Sequence, residues 1–161
     1  MRGVHERPSG NIQSSGDLVS ILFSRQCEYA LQAILYLALR PDAGAIPIKE
    51  LADHLGLPFH FLAKILQKLR RDGILRSVKG ASGGFGFARP IDEITLMDIV
   101  RAIDGPNFLE GCVLGFEKCS GESPCSLHEL WAVSRDGIIA RLGGKTVGEM
   151  AEINKQESVR V

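Results

Sequence analysis

Two short amphipathic stretches joined at a glycine and followed at once by a hairpin pattern constrain this chain more than any other feature. In the first stretch, Ile48, Leu51, Ala52 and Leu55 form an apolar stripe at helical spacing, and Pro47 suits a first helical turn. Gly56 allows the left-handed backbone of a tight joint between helices. The second stretch is predicted to be helical from Pro58 to about Asp72, stopped by Gly73. Its expected buried face is Phe59, Leu62, Ala63, Leu66 and Leu69, opposite His60, Lys64, Gln67, Lys68 and Arg71. Taken alone, this is as compatible with an ordinary helical hairpin as with a helix-turn-helix.

The next residues tip the balance. Ile74–Val78 reads as a strand, Lys79–Gly84 as a glycine-rich turn and Phe85–Arg89 as the returning strand. A basic β-hairpin directly after a basic second helix is a wing. The small residues around Ser82 and Gly83 would let its backbone lie close to a phosphate or a minor groove, with Lys79 and Arg89 supplying charge. A glycine-rich loop that cradles a nucleotide phosphate needs a helix after it, whereas here a strand follows.

The formal net charge is zero, but charge is unevenly placed. Residues 49–89 hold eight Lys/Arg and three Asp/Glu, so a positive field is concentrated on the winged segment. Helix-turn-helix proteins read bases from the start of the second helix, which selects Pro58, His60, Phe61 and Lys64 as base-reading candidates. Lys68 and Arg71 are expected to meet phosphates or solvent. The implied partner is double-stranded DNA.

Further helices flank this unit. Tyr29, Ala30, Ala33, Ile34, Leu37 and Ala38 recur at helical spacing within 26–39, before Pro41. Thr95 and Asp98 form a capping-box pattern opening a helix that ends at Gly105. A last long helix is expected from Ser126 to Leu142. Leu127, Leu130, Trp131, Ile138, Ile139 and Leu142 give it more apolar surface than a lone exposed helix carries. A homodimer interface or packing on its own winged unit would cover them. Residues 1–20 are polar and Gly/Ser-rich, without the apolar core of a secretion signal, so a disordered extension and a cytoplasmic location are expected, with no membrane partner.

Cys112, Cys119 and Cys125 have the spacing C-x6-C-x5-C, and Cys27 stands apart. Clustered cysteines in a reducing compartment bind metal or sense redox more often than they form structural disulfides. Structural zinc favours pairs two to four residues apart, and no such pair is present. Wider spacing on a loop broken by Gly111, Gly115, Gly121 and Pro124 suits a larger iron–sulfur cluster. Redox thiols without metal, and zinc, stay as alternatives. Cys27 is expected to be a buried or idle thiol.

Five stretches in order resemble the IscR/NsrR family (Rrf-two type) of winged helix-turn-helix regulators. They are 28–33, 69–77, then 80–85 with 88–90, 95–105 and 125–131. The similarity covers about 22–152. It implies a homodimeric transcriptional repressor, with the second helix-turn-helix helix in a major groove and a long carboxy-terminal dimerisation helix. It also implies an iron–sulfur cluster on Cys112, Cys119 and Cys125, with [2Fe-2S] ahead of [4Fe-4S], responding to cluster supply, nitric oxide or oxidants. His128 matches the histidine ligand of IscR-like members. Glu28, the alternative fourth ligand, aligns with a carboxylate that some NsrR-like members donate from the partner subunit. The family commonly has five residues in the first cysteine gap, where this chain has six.

The expected fold is therefore mostly α with a small β-hairpin wing, a winged helix-turn-helix plus a long carboxy-terminal dimerisation helix. The expected divisions are a disordered extension (1–20), a winged helix-turn-helix domain (21–105), a cluster-binding loop (106–125), a dimerisation helix with a short tail helix (126–152) and a disordered tail (153–161). No serine–histidine–aspartate, paired-carboxylate or cysteine–histidine constellation marks an enzyme.

Overall fold

The computed structural model describes residues 22–80, 83–114 and 124–157. The expectations for 1–20, Ser82 and Cys119 lie outside these residues, as does the end of the tail.

Helix α1 (Arg25–Ala38) starts at Ser24, whose hydroxyl accepts the Cys27 amide at 3.1 Å. Ser24 is itself anchored. Its amide donates to Asp104 Oδ2 at 3.0 Å, and its hydroxyl donates to the other oxygen of that carboxylate. Ala30, Ala33, Ile34 and Leu37 are buried, which makes α1 the central rod of the core. Helices α2, α3, α4 and α6 all pack against it.

Helix α2 (Ile48–Leu55) ends at Gly56, in the left-handed region with φ 63°. The Leu57 amide returns to the Ala52 carbonyl at 2.9 Å and closes the turn. Helix α3 (Phe59–Arg71) then buries Leu62, Ile65, Leu66 and Leu69. Leu62, Leu66 and Leu69 are as expected from sequence, and Ala63 is only half-buried. Ile65 is a core residue, whereas Phe59, expected to be buried, is 48% exposed. The 62/65/66/69 set keeps the i, i+3, i+4, i+7 geometry, and Phe59 falls outside that stripe.

Strands β1 (Leu75–Val78) and β2 (Gly84–Phe87) pair antiparallel, with Leu75 opposite Phe87 and Val78 opposite Gly84. A third segment joins them, because Ile46 and Phe85 exchange two backbone hydrogen bonds of 2.9 Å. This contact explains the glycines of β2. A Cβ on Gly84 would lie 2.2 Å from the Ile46 carbonyl oxygen, and one on Gly86 would lie 2.5 Å from that of Gly44. Here the small residues admit the chain's own backbone.

Helix α4 (Leu96–Asp104) has the anticipated capping box, with Thr95 and Asp98 each accepting the other's amide at 3.0–3.1 Å. Helix α5 (His128–Gly143) buries none of its residues and packs chiefly on α4. Helix α6 (Val147–Glu157) begins with a second reciprocal cap between Thr146 and Glu149. It buries Val147 and Ala151 against the winged unit. Paired hydrogen bonds, Leu96 N–H to Lys145 O and Val147 N–H to Ile94 O, hold its start beside α4. Residues 153–157, read from sequence as part of a disordered tail, are helical because α6 is capped and docked.

Candidate nucleic-acid interface and cysteine loop

The outward side of α3 is built by the same periodicity that fills the core. With Leu62, Ile65, Leu66 and Leu69 inside, Phe59, His60, Lys64, Gln67, Arg70 and Arg71 are left exposed. No acidic residue lies on α3, and no side chain caps its first turn. Pro58 is exposed at the helix start. Lys79 is exposed at the wing's turn, and Arg76 and Ser77 are exposed on β1. The Arg76 guanidinium is anchored by donating to the Phe87 carbonyl at 3.0 Å. Lys64, Arg70 and Arg71 of α3 and Arg76 and Lys79 of the hairpin are thus all exposed, a cluster of positive charge on the winged unit.

Three candidates from the sequence, Phe61, Lys68 and Arg89, are engaged within the chain. Phe61 is half-buried and packs edge-to-face on Tyr29, with ring centroids 5.8 Å apart. Lys68 is turned along the body of the protein. Its Nζ donates to Gln26 Oε1 and to the Ile103 carbonyl, each at 3.4 Å, near the end of α4. Arg89 donates to the Glu93 carbonyl at 2.7 Å and to Asp98 Oδ2 at 3.0 Å, locking the wing's exit onto the α4 cap. Gly83 admits no side chain, since a Cβ would stand 2.7 Å from the Gly80 and Val78 carbonyl oxygens. Periodicity assigns a face to each residue, but it cannot show that a long side chain bends back to a carbonyl. Phe59, Arg70 and Arg76 were missed as candidates. For Arg76 the in-out alternation of a strand was the available signal.

The cysteine loop leaves α4 at Gly105, whose φ of 95° turns the chain away. Phe108 is buried and stacks on Phe23, 5.6 Å between centroids. Cys112 and Cys125 are both half-buried. Trp131 Nε1 donates to the Gly111 carbonyl at 2.9 Å, so the residue before Cys112 is fastened to the first turn of α5. The Cys125 carbonyl accepts the His128 amide at 3.0 Å, and His128 opens α5. Both described loop cysteines are therefore tethered to the helix start that carries His128. Glu28, on α1, is paired with Arg25 at 3.2 Å.

Cys27 is chemically different. Its burial, followed by the charge of Asp104, a hydrogen bond to that carboxylate and the charge of Glu28, pushes its thiol up to about 12. A thiol held protonated is a poor nucleophile and ligand, which agrees with its reading as an idle core residue.

A helix-turn-helix with a wing and a basic recognition helix defines a winged-helix DNA-binding protein. The Rrf2 family, described as iron-dependent transcriptional regulators, matches residues 23–153, and the chain belongs to it. An HTH-type transcriptional regulator of Aquifex aeolicus is 34% identical, over 84% of this chain and 95% of that one. The regulator IscR of Escherichia coli is 29% identical, over 83% of this chain and 80% of IscR. The structure of CymR, described as the global cysteine regulator of B. subtilis, superposes with a TM-score of 0.70 at 26% identity. It covers 83% of this chain and 98% of CymR. The protein is thus a DNA-binding transcriptional regulator, in a family of regulators rather than enzymes. No helix among the described residues is long and apolar enough to cross a membrane.

Proposed function

We propose that this regulator is a homodimeric repressor whose grip on its operator is set by an iron–sulfur cluster held on Cys112, Cys119, Cys125 and His128. The observation that carries the reading is the tether between loop and helix. The Trp131 indole N–H to the Gly111 carbonyl and the His128 amide to the Cys125 carbonyl fasten the backbone beside Cys112 and at Cys125 to the start of α5, which supports a shared site there. Soft thiolates with one imidazole suit iron–sulfur chemistry, and the half-buried thiols fit that donor set. [2Fe-2S] is favoured over [4Fe-4S], with Glu28 the alternative fourth ligand. When bound, the cluster supplies a redox- and nitric-oxide-reactive centre.

The protein's part is mechanical. Helix α5 exposes Leu130 to 67% and Val133 to 75%, an apolar face that a second copy of the chain would cover. Cys112 and Cys125 both lie on the loop linking α4 to α5, so ligation would restrain how these helices are connected. Helix α4 is held to the reading surface at both ends, by Lys68 from α3 and by Arg89 from the wing. A change in the loop would thus alter the separation of the two recognition helices, which must match half-sites roughly 34–36 Å apart. Pro58, His60, Lys64, Arg71 and Lys79 are the proposed DNA contacts.

A second reading is favoured by the similarity to CymR: the same fold controlled by bare thiols or a protein partner. Anaerobic purification with iron and sulfide analysis separates the two. Cys112→Ala, Cys119→Ala and Cys125→Ala should each abolish visible cluster absorbance and its effect on operator affinity. Colour retained in all three variants, or colourless protein binding the operator as well as reconstituted protein does, would overturn the cluster reading. Loss of colour in His128→Ala but not in Glu28→Gln would identify the fourth ligand.

A further inference from the structure

We propose that Phe59 is a specificity-determining residue that reads the 5-methyl group of a thymine in each operator half-site. The inference rests on the reading that α3 enters the major groove. Exposed large hydrophobics occur elsewhere among the described residues, but apart from Phe59 all of them lie at Val113 or beyond, on the loop, α5 and α6. The winged unit therefore shows a single exposed large apolar side chain, 48% accessible, at the first helical position of its recognition helix. The core gains little from it, since the buried stripe of α3 starts at Leu62.

The ring is flanked rather than isolated. His60 stands perpendicular to it, with centroids 5.5 Å apart. That places an apolar disc beside a group able to donate or accept a hydrogen bond. In the major groove, thymine alone presents a methyl, and phenylalanine is among the side chains that contact it. The first turn of a recognition helix is where side chains meet base edges. Phe61 cannot take this role because its ring is packed on Tyr29, and Lys64 and Gln67 end in polar groups rather than an apolar face.

The test begins with selection of duplexes from a random library by the full-length wild-type protein. Each thymine of the selected duplex is then replaced by uracil, which lacks only the methyl. One symmetric pair of positions should lose about fourfold in affinity per half-site, the worth of burying one methyl-sized group. Phe59→Ala should bind the thymine and uracil duplexes alike and should select duplexes without a thymine preference at those positions. Because the ring is half exposed, Phe59→Ala should keep its melting temperature, so a binding change will not reflect unfolding. Wild-type protein indifferent to every uracil swap, or Phe59→Ala retaining the full thymine preference, would overturn the proposal. If His60→Ala and Lys64→Ala also leave duplex binding untouched, the recognition-helix reading itself fails; if they weaken it, only the role of Phe59 is lost.

Discussion

Helices α1 and α5 are of similar length and both carry many apolar residues, yet they use them in opposite ways. In α1, seven of fourteen residues are buried within the chain. In α5, none of sixteen is buried, although Leu130, Trp131, Val133, Ile138, Ile139 and Leu142 all lie on it. The difference lies in neighbours. Helix α1 is contacted by α2, α3, α4 and α6, while α5 packs mainly on α4. One helix spends its apolar residues on the core of the chain, and the other leaves Leu130 and Val133 exposed.

The largest effects should break this comparison directly. Leu66→Ala, in the core layer beside α1, should cost about 2–5 kcal/mol of folding stability, measured by urea unfolding. Leu130→Glu should leave the far-ultraviolet circular dichroism of the folded unit intact but shift sedimentation towards a monomer and remove tight operator binding. Were Leu130→Glu to unfold the chain as Leu66→Ala does, α5 would be packing within the subunit instead.

An intermediate effect sharpens the contrast between free and engaged charges on α3. Lys64→Ala should lower the salt slope of DNA binding by about 1, as expected for a lost phosphate contact. Lys68→Ala should leave that slope unchanged, because its ammonium already serves Ile103 and Gln26. Titration of affinity against potassium chloride distinguishes them. Equal slope changes in both variants would show that Lys68 swings out to the duplex.

The smallest effect concerns the joint between wing and α4. Burial pushes the Asp98 carboxyl up, but the Thr95 amide, the Arg89 hydrogen bond and charge, and the Thr95 hydroxyl together hold it below the usual carboxylate range. A group whose folded pKa is depressed contributes stability above its unfolded pKa and loses it as pH falls through the folded one. Asp98→Asn should therefore lower the melting temperature modestly at neutral pH. The gap to wild type should close as pH falls below about 4. A gap that stays constant with pH would mean the cap acts without its charge.

Much of the fold was legible because its signals are local. The glycine joint after Leu55, the hairpin after Gly73 and the Thr95–Asp98 box each depend on residues within a few positions of one another. Phe59, expected inside, and Ile65, left off the expected face, show where that stops, since periodicity does not fix how wide a stripe its neighbours cover or where that stripe begins. The docking of α6 was hidden for a similar reason. Its register depends on the strand-like pairing of Thr95 with Thr146, fifty-one residues apart in sequence. The cysteine spacing was plain, whereas the tether from Trp131 to Gly111 was not, because an indole N–H has no preferred carbonyl until the loop has turned.

The residues themselves determined that two helices meet at Gly56, that a hairpin follows, that positive charge gathers there and that three cysteines lie within fourteen residues. Only the tertiary structure decided which charges are already engaged, which aromatic ring faces outward, and that the glycines of β2 accommodate the 44–47 backbone. The reason is range. Helix periodicity, caps and turns arise between near neighbours, while hydrogen bonds to distant carbonyls and close backbone approaches exist only once separate segments have been packed together.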